Sequence, residues 1–249
     1  MLDWFYVDLE YRESSASFFQ CLLSFEYPIW LDSCAHAKLG RFDVLSASPY
    51  ACLSQNQLGE ITSSKQKNTL REKDFLTVLE AMLPSVPAFV GDFVFSGALG
   101  YLSYEFGMKR AGLSSSNPCE NALPDAWFGL YSWAIIIDHH EKKAHLVYQK
   151  KDSTEAFLQQ IKVNWHETKT KAQSQTHFSL LNTFQSNITY DDYENSFLKI
   201  QKHLNAGNTY QVNYSHCFSA DFEGDVFSAY CILRQKNPSE YAVFLRLPE

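Results

Sequence analysis

No apolar run in the sequence approaches the roughly eighteen residues that a membrane-spanning helix needs, and the opening residues lack the basic flank and apolar core of a secretory leader. A cytoplasmic protein with no membrane role is expected. Positive charge is also scarce, with 21 Lys and Arg against 28 Asp and Glu and a net charge of −7. Such a balance offers no basic footprint for nucleic acid. The six cysteines (Cys21, Cys34, Cys52, Cys119, Cys217 and Cys231) include no C-x-x-C pair, which excludes a dense disulfide or zinc framework and suggests reduced core thiols. Gly97, Gly100 and Gly107 do not have the spacing of a dinucleotide fingerprint, and no solenoid repeat is visible.

What the chain does have is aromatic and apolar content. At 249 residues, 45% hydrophobic and 15% aromatic, it can bury one large domain or one and a half. Residues 4–7 read as a strand, and residues 14–25 as a helix carrying Phe18, Phe19, Leu22 and Leu23 after a serine-rich cap. Short strands are expected at 28–31, 41–46 and 50–53, with polar turn residues at 56–60 before another. Phe75, Val78, Leu79 and Met82 share one face of a helix that Pro84 and Pro87 prevent from continuing. Residues 91–107 read as glycine-punctuated strand, 130–137 and 144–149 as a hairpin, and 154–166 as a helix.

The polar stretch 167–187 is the expected boundary. The division is then 1–170 for a first domain, 171–187 for a linker and 188–249 for the start of a second. Thr189 is placed to cap a helix with Tyr193, Phe197, Ile200 and Leu204 on one face, and Gly207 to stop it in the left-handed conformation. Tyr210, Val212, Tyr214, His216 and Phe218 then alternate with Gln211, Asn213, Ser215 and Cys217, the pattern of a strand. Asp225 caps a further helix, and Tyr241, Val243 and Leu245 begin another strand.

Few of these residues demand chemistry. Asp138, His139 and His140 with His145 resemble metal ligands in composition, but adjacent histidines at a strand end face opposite ways, as in a solvated hairpin turn. No metal site is expected. Ser215 and His216 fall on opposite faces of a strand and cannot act as nucleophile and base together. Gln211, Asn213 and Ser215 form either a polar-ligand face or a sheet face covered by the next element. The glycines at 97 and 100 mark close backbone approach.

Three stretches carry a family resemblance: Leu31-Asp-Ser33 followed by Gly40-Arg-Phe-Asp-Val-Leu-Ser-Ala-Ser-Pro49, then Gly97-Ala-Leu-Gly-Tyr-Leu-Ser-Tyr-Glu105, then 193–218 with Ala206-Gly-Asn-Thr-Tyr-Gln-Val-Asn-Tyr-Ser215. Leu123-Pro-Asp-Ala-Trp-Phe-Gly-Leu-Tyr131 also fits. Together they resemble component I of the anthranilate and aminodeoxychorismate synthases, which are chorismate-utilising enzymes. Tyr210-Gln-Val-Asn213 looks more like the aminodeoxychorismate branch, which serves folate synthesis, than the anthranilate branch of tryptophan synthesis.

The resemblance implies an α+β fold of antiparallel sheets stacked face to face, one mainly from each half, with helices outside. It implies amination of chorismate at C4, with ammonia from a glutamine amidotransferase partner and Mg²⁺ on the substrate carboxylate. The attacking lysine and magnesium ligands of the family belong to motifs after Glu249, so no catalytic residue is assigned and the chain is read as a truncated front portion, inert alone. What carries over is a tryptophan pocket, matched by Ser33, Leu39, Gly40, Arg41 and Phe42 with Glu240, Tyr241 and Ala242. A noncatalytic module that binds tryptophan or docks the amidotransferase is the alternative from another class.

Overall fold

The computed structural model describes residues 4–34, 40–64, 66–70, 74–84, 86–113, 123–150, 155–168 and 177–247. In chain order the elements are β1 (Trp4–Leu9), α1 (Ala16–Leu22), β2 (Ile29–Asp32), β3 (Phe42–Ser46), β4 (Ala51–Gln55), β5 (Ile61–Ser63), β6 (Gln66–Leu70) and α2 (Phe75–Met82). There follow β7 (Ala88–Val90), β8 (Phe93–Phe95), β9 (Ala98–Leu102), α3 (Tyr104–Arg110), β10 (Ala126–Leu130), β11 (Trp133–Asp138), β12 (Lys143–Gln149) and α4 (Glu155–Glu167). The chain continues with β13 (Phe178–Leu180), β14 (Gln185–Ser186), α5 (Tyr190–Asn205), β15 (Phe218–Ser219), β16 (Phe222–Gly224), α6 (Val226–Lys236) and β17 (Ala242–Leu245).

Two compact units result: Met1–Ser174 with Cys231–Glu249, and Gln175–Tyr230. The first unit holds a six-stranded sheet in the order β1-β12-β11-β3-β2-β17 and a five-stranded sheet in the order β6-β5-β4-β10-β9, with all pairings antiparallel. Both large sheets therefore come from the first 149 residues plus β17, rather than one from each half. Strand β17 joins that sheet through four consecutive pairs with β2, from Ala242 opposite Asp32 to Leu245 opposite Ile29.

Strand β11 shows why the six-stranded sheet is the centre of this unit. All six of its residues are buried, because both faces are covered. Ala134 and Ile136 join Ile29, Val44 and Val147 in a core with Leu99 of β9 and Ala88, Val90 and Phe95 of the β7-β8 ribbon. On the opposite face, Phe19 of α1 meets Trp30 at 5.5 Å and Trp133 meets Phe157 of α4 at 5.5 Å between ring centres. A second core joins Leu53, Ile61, Ala126 and Leu130 of the five-stranded sheet to Phe75 and Leu79 of α2 and Phe106 of α3. Each fully buried Leu, Ile or Phe of this kind contributes about 1.5–3 kcal/mol.

The glycines marked for close approach behave so. A Cβ on Gly100 would lie 2.0 Å from the Trp127 carbonyl oxygen, and one on Gly97, which has φ +88°, 2.7 Å from that of Tyr131. The strand reading of 91–107 is corrected at its end, where Ser103 accepts from the Phe106 amide and starts α3, a helix with Glu105 in its first turn and Lys109 and Arg110 in its last.

In the second unit, Thr189 and Asp192 form a reciprocal capping box at the start of α5, and Gly207 has φ +70°. Residues 178–180 and 185–186, expected as linker, instead form β13 and β14, which pair with β16 and β15. The strand expected over 210–218 is also corrected. Only Phe218 and Ser219 form a ladder, and residues 210–217 are exposed without one. Period-two patterning makes a strand only when a neighbour accepts its amides.

None of the described cysteines is in a disulfide, with Cys34 and Cys231 buried, Cys21 and Cys52 half-buried and Cys217 exposed. The core-thiol reading thus fails for Cys217, which lies in that uncovered segment. Cys119 falls outside the described residues.

Candidate functional site

The expected amino-acid site gathers at one corner of the six-stranded sheet, where β2 turns toward β3 and β17 lies alongside β2. A Cβ on Gly40 would come 2.3 Å from the Ser33 carbonyl oxygen, so only glycine lets the two backbones meet there. Ser33, Gly40, Arg41 and Phe42 are thereby neighbours, and Ala242 sits opposite Asp32, the residue before Ser33. Leu39 lies outside the described residues.

The side chains of this corner are committed to the protein itself. The Ser33 hydroxyl donates to Asp43 Oδ1 at 2.7 Å, and its amide donates to the same atom at 2.9 Å. Arg41 grips both carboxylate oxygens of Asp138, with its shortest contact at 2.8 Å, and reaches Asp92 at 2.9 Å. Its guanidinium lies over the Phe42 ring at 4.6 Å, while Phe42 meets Phe93 at 5.0 Å between centres. Tyr241, expected as an aromatic wall, is 82% exposed, because Ala242 rather than Tyr241 begins the β17 ladder. Glu240 is half-buried just before it. Cavities of about 240 Å³ beside Trp4, Val86 and Phe89 and about 210 Å³ beside Ser48, Trp133 and Phe157 are lined by none of the expected site residues.

Beneath this corner lies a buried polar network that the sequence reading missed. Asp43 also accepts from the Ser15 hydroxyl at 3.1 Å and from Trp30 Nε1 at 3.3 Å. His139 Nε2 lies 3.3 Å from Asp43 Oδ1, and His139 Nδ1 is 3.1 Å from the Tyr11 hydroxyl. Burial pushes the Asp43 pKa upward, but hydrogen bonding and charge from His139 and the two Ser33 donors outweigh it and hold the carboxyl below its ordinary value. Ser15 illustrates the local choice. It occupies the cap position of α1 yet makes no cap bond, since its hydroxyl serves Asp43.

Next to this network, Asp32 accepts two hydrogen bonds from Arg234 of α6, at 2.6 and 2.9 Å, and one from the Cys34 amide at 2.8 Å. Burial lowers the Arg234 pKa, while the Asp32 bonds and charge more than reverse it, leaving the guanidinium raised overall. The pair ties α6 to β2, beside the start of β17. The available signal was a single carboxylate within each of the apolar runs 29–32 and 42–46, since a buried carboxylate requires donors.

Asp138, His139 and His140 show no metal geometry. His139 is buried and His140 exposed, and the Asp138 carboxylate is engaged by Arg41 and by the amides of His140 and Glu141. Among the described residues no group of three or more His, Cys, Asp and Glu is placed to hold an ion, and no helix is long and apolar enough to cross a membrane.

This stapled sheet corner can be set against known proteins. The family described as chorismate binding enzyme matches residues 26–249. The chain belongs to that family. It is 33% identical over 212 residues to aminodeoxychorismate synthase component 1 of Salmonella typhimurium strain LT2, covering 83% of this chain and 45% of the relative. Against the protein of the same name from Escherichia coli strain K12 the identity is 30% over 250 residues, covering 98% of this chain and 53% of the relative. The fold is that of anthranilate synthase component I from Streptococcus pneumoniae TIGR4, with a TM-score of 0.63 at 22% identity, over 83% of this chain and 48% of that one. The chain thus spans about half the length of the curated relatives it matches.

Proposed function

We propose that this chain is one half of an aminodeoxychorismate synthase component I working in the cytoplasm. The complete enzyme would replace the C4 hydroxyl of chorismate with an amino group, giving 4-amino-4-deoxychorismate for p-aminobenzoate and folate synthesis. A glutamine amidotransferase would supply the ammonia. The observation carrying this reading is the alignment to the Escherichia coli synthase component across 98% of the chain.

The magnesium ion that the resemblance implies does not fit the described residues. Asp32 is held by Arg234, Asp43 by Ser33, Ser15, Trp30 and His139, and Asp138 by Arg41, so none of the three is free to join a ligand set. This half therefore serves as scaffold, and the isolated 249-residue chain is expected to turn over chorismate no faster than buffer.

The test is a chimera in which residues 1–249 are joined to the part of the Salmonella typhimurium relative that lies outside its match. Supplied with chorismate, ammonium and Mg²⁺, a folded chimera should form aminodeoxychorismate. Fluorescent anthranilate as the product, or no turnover from a folded chimera, would overturn the assignment.

The corner built from Ser33, Gly40, Arg41, Phe42, Glu240 and Ala242 is proposed as the tryptophan site of this half. Its support is the neighbourhood of Ser33, Gly40 and Ala242, and the Ser33 oxygen retains acceptor capacity for an α-ammonium group. Heat released on titrating tryptophan into the chain, lost in Gly40→Val, is the expected result, and a flat titration withdraws the site.

A further inference from the structure

The cavity of about 210 Å³ beside Ser48, Trp133 and Phe157 shares no residue with the tryptophan corner. It lies in the first unit, where α4 passes the end of β12 and the start of β11. Its more buried walls are apolar. Trp133 and Leu158 are buried, and Phe157 sets its ring edge-on to Trp133 at 5.5 Å between centres. Ser48, Ser132 and Tyr148, all half-buried, add hydroxyl groups.

These walls are held in place by bonds made outside the cavity. Ser46 donates to the Trp133 carbonyl at 2.7 Å, and Trp133 Nε1 donates to the Ala47 carbonyl at 2.9 Å, so the indole offers a ligand only its ring. The Gln149 amide donates to the Ser132 carbonyl and the Ser48 amide to the Glu26 carbonyl, both at 2.7 Å. Ser48 has φ +53°, a left-handed backbone that serine rarely adopts and that proteins concentrate at ligand sites. The hydroxyls of Ser48, Ser132 and Tyr148, by contrast, make no hydrogen bond among the described residues. Fixed apolar walls with a few unspent polar groups are the form of a small-molecule site.

Charge and size select the ligand class. None of the described residues lining the cavity is charged, so an ionised group would enter without a partner at a high desolvation cost. An apolar cavity of about 150 Å³ holds benzene, and one of about 210 Å³ has room for a single ring with a short polar substituent. We propose that this cavity binds an uncharged monocyclic aromatic compound carrying a hydroxyl or amide group. The ring lies against Trp133 and Phe157, and the polar group meets the hydroxyls of Ser48, Ser132 and Tyr148.

The test uses the 249-residue chain grown with 5-fluorotryptophan, in which the fluorine signal of Trp133, one of five tryptophans, is identified through Trp133→Phe. Phenol and benzamide should move that signal saturably, with Kd of about 1 mM, and benzoate should bind about tenfold or more weakly. Ser48→Gly, whose new residue takes φ +53° readily, and Ser132→Ala should each weaken phenol about fivefold, the worth of one hydrogen bond. Ser132→Leu, which fills the cavity from its half-buried side, should abolish binding; if it does not fold, the two smaller changes decide.

A Trp133 signal that stays still at about ten times that concentration, benzoate binding as well as phenol, or affinity unchanged in both Ser48→Gly and Ser132→Ala would overturn the proposal. So would movement of the Trp4 signal instead, which places the compounds in the other cavity, beside Phe89. The readout needs neither chorismate nor turnover, so its result is independent of the chemical assignment.

Discussion

Strand β11 and helix α5 are both strongly patterned, yet every residue of the first is buried and none of the second. The first sits between two layers that the same unit supplies, α1 and α4 on one face and the β7-β8 ribbon on the other. Among the described residues, the unit that holds α5 adds two short two-stranded ribbons, the segment 210–217 and the first turn of α6. The pattern of a segment states what it can bury, and the neighbours decide whether it does.

That contrast can be broken most forcefully at the core. Phe19→Ala removes a fully buried ring that meets Trp30 and Phe244, and should cost about 3–5 kcal/mol in urea unfolding. Phe197→Ala on α5 should cost under about 0.5 kcal/mol, as surface changes do. Equal losses would show that α5 is covered in solution.

A smaller effect concerns the buried network of the first unit. Because the Asp43 carboxyl is held below its ordinary value in the folded chain, its contribution is complete above about pH 4, the unfolded carboxylate range, and is lost as pH falls through the folded value. The wild-type chain should lose stability on acidification below that point, and Asp43→Asn should flatten part of the slope. An unchanged slope in the variant would show that Asp43 does not titrate differently on folding. Thr189→Ala, which removes the capping box of α5, should reduce its helicity at a cost of about 1 kcal/mol, read by circular dichroism.

Much of the fold was legible. The helix at 75–82, the hairpin of β11 and β12 and the cap and stop of α5 follow from local rules of spacing, turn residues and glycine conformation. The glycines at 97 and 100 were readable as points of close approach, although the carbonyls they meet were not. Of the residues expected at the pocket, Ser33, Gly40, Arg41 and Phe42 come together, while Tyr241 faces solvent and Arg41 is spent on Asp138 and Asp92. The buried network went unread because its members come from positions 11 to 139, and no local pattern links residues so far apart.

By itself the sequence determined which segments prefer helix or strand, which glycines could not be replaced, and that the chain is kin to chorismate-utilising enzymes. Only the tertiary structure decided that β17 joins β2, that Asp32 and Asp43 are satisfied by Arg234, Ser33 and His139, and that residues 210–217 remain without a ladder. The reason is physical. Propensity and periodicity act within a few residues, whereas burial and hydrogen-bond satisfaction depend on which distant groups arrive alongside.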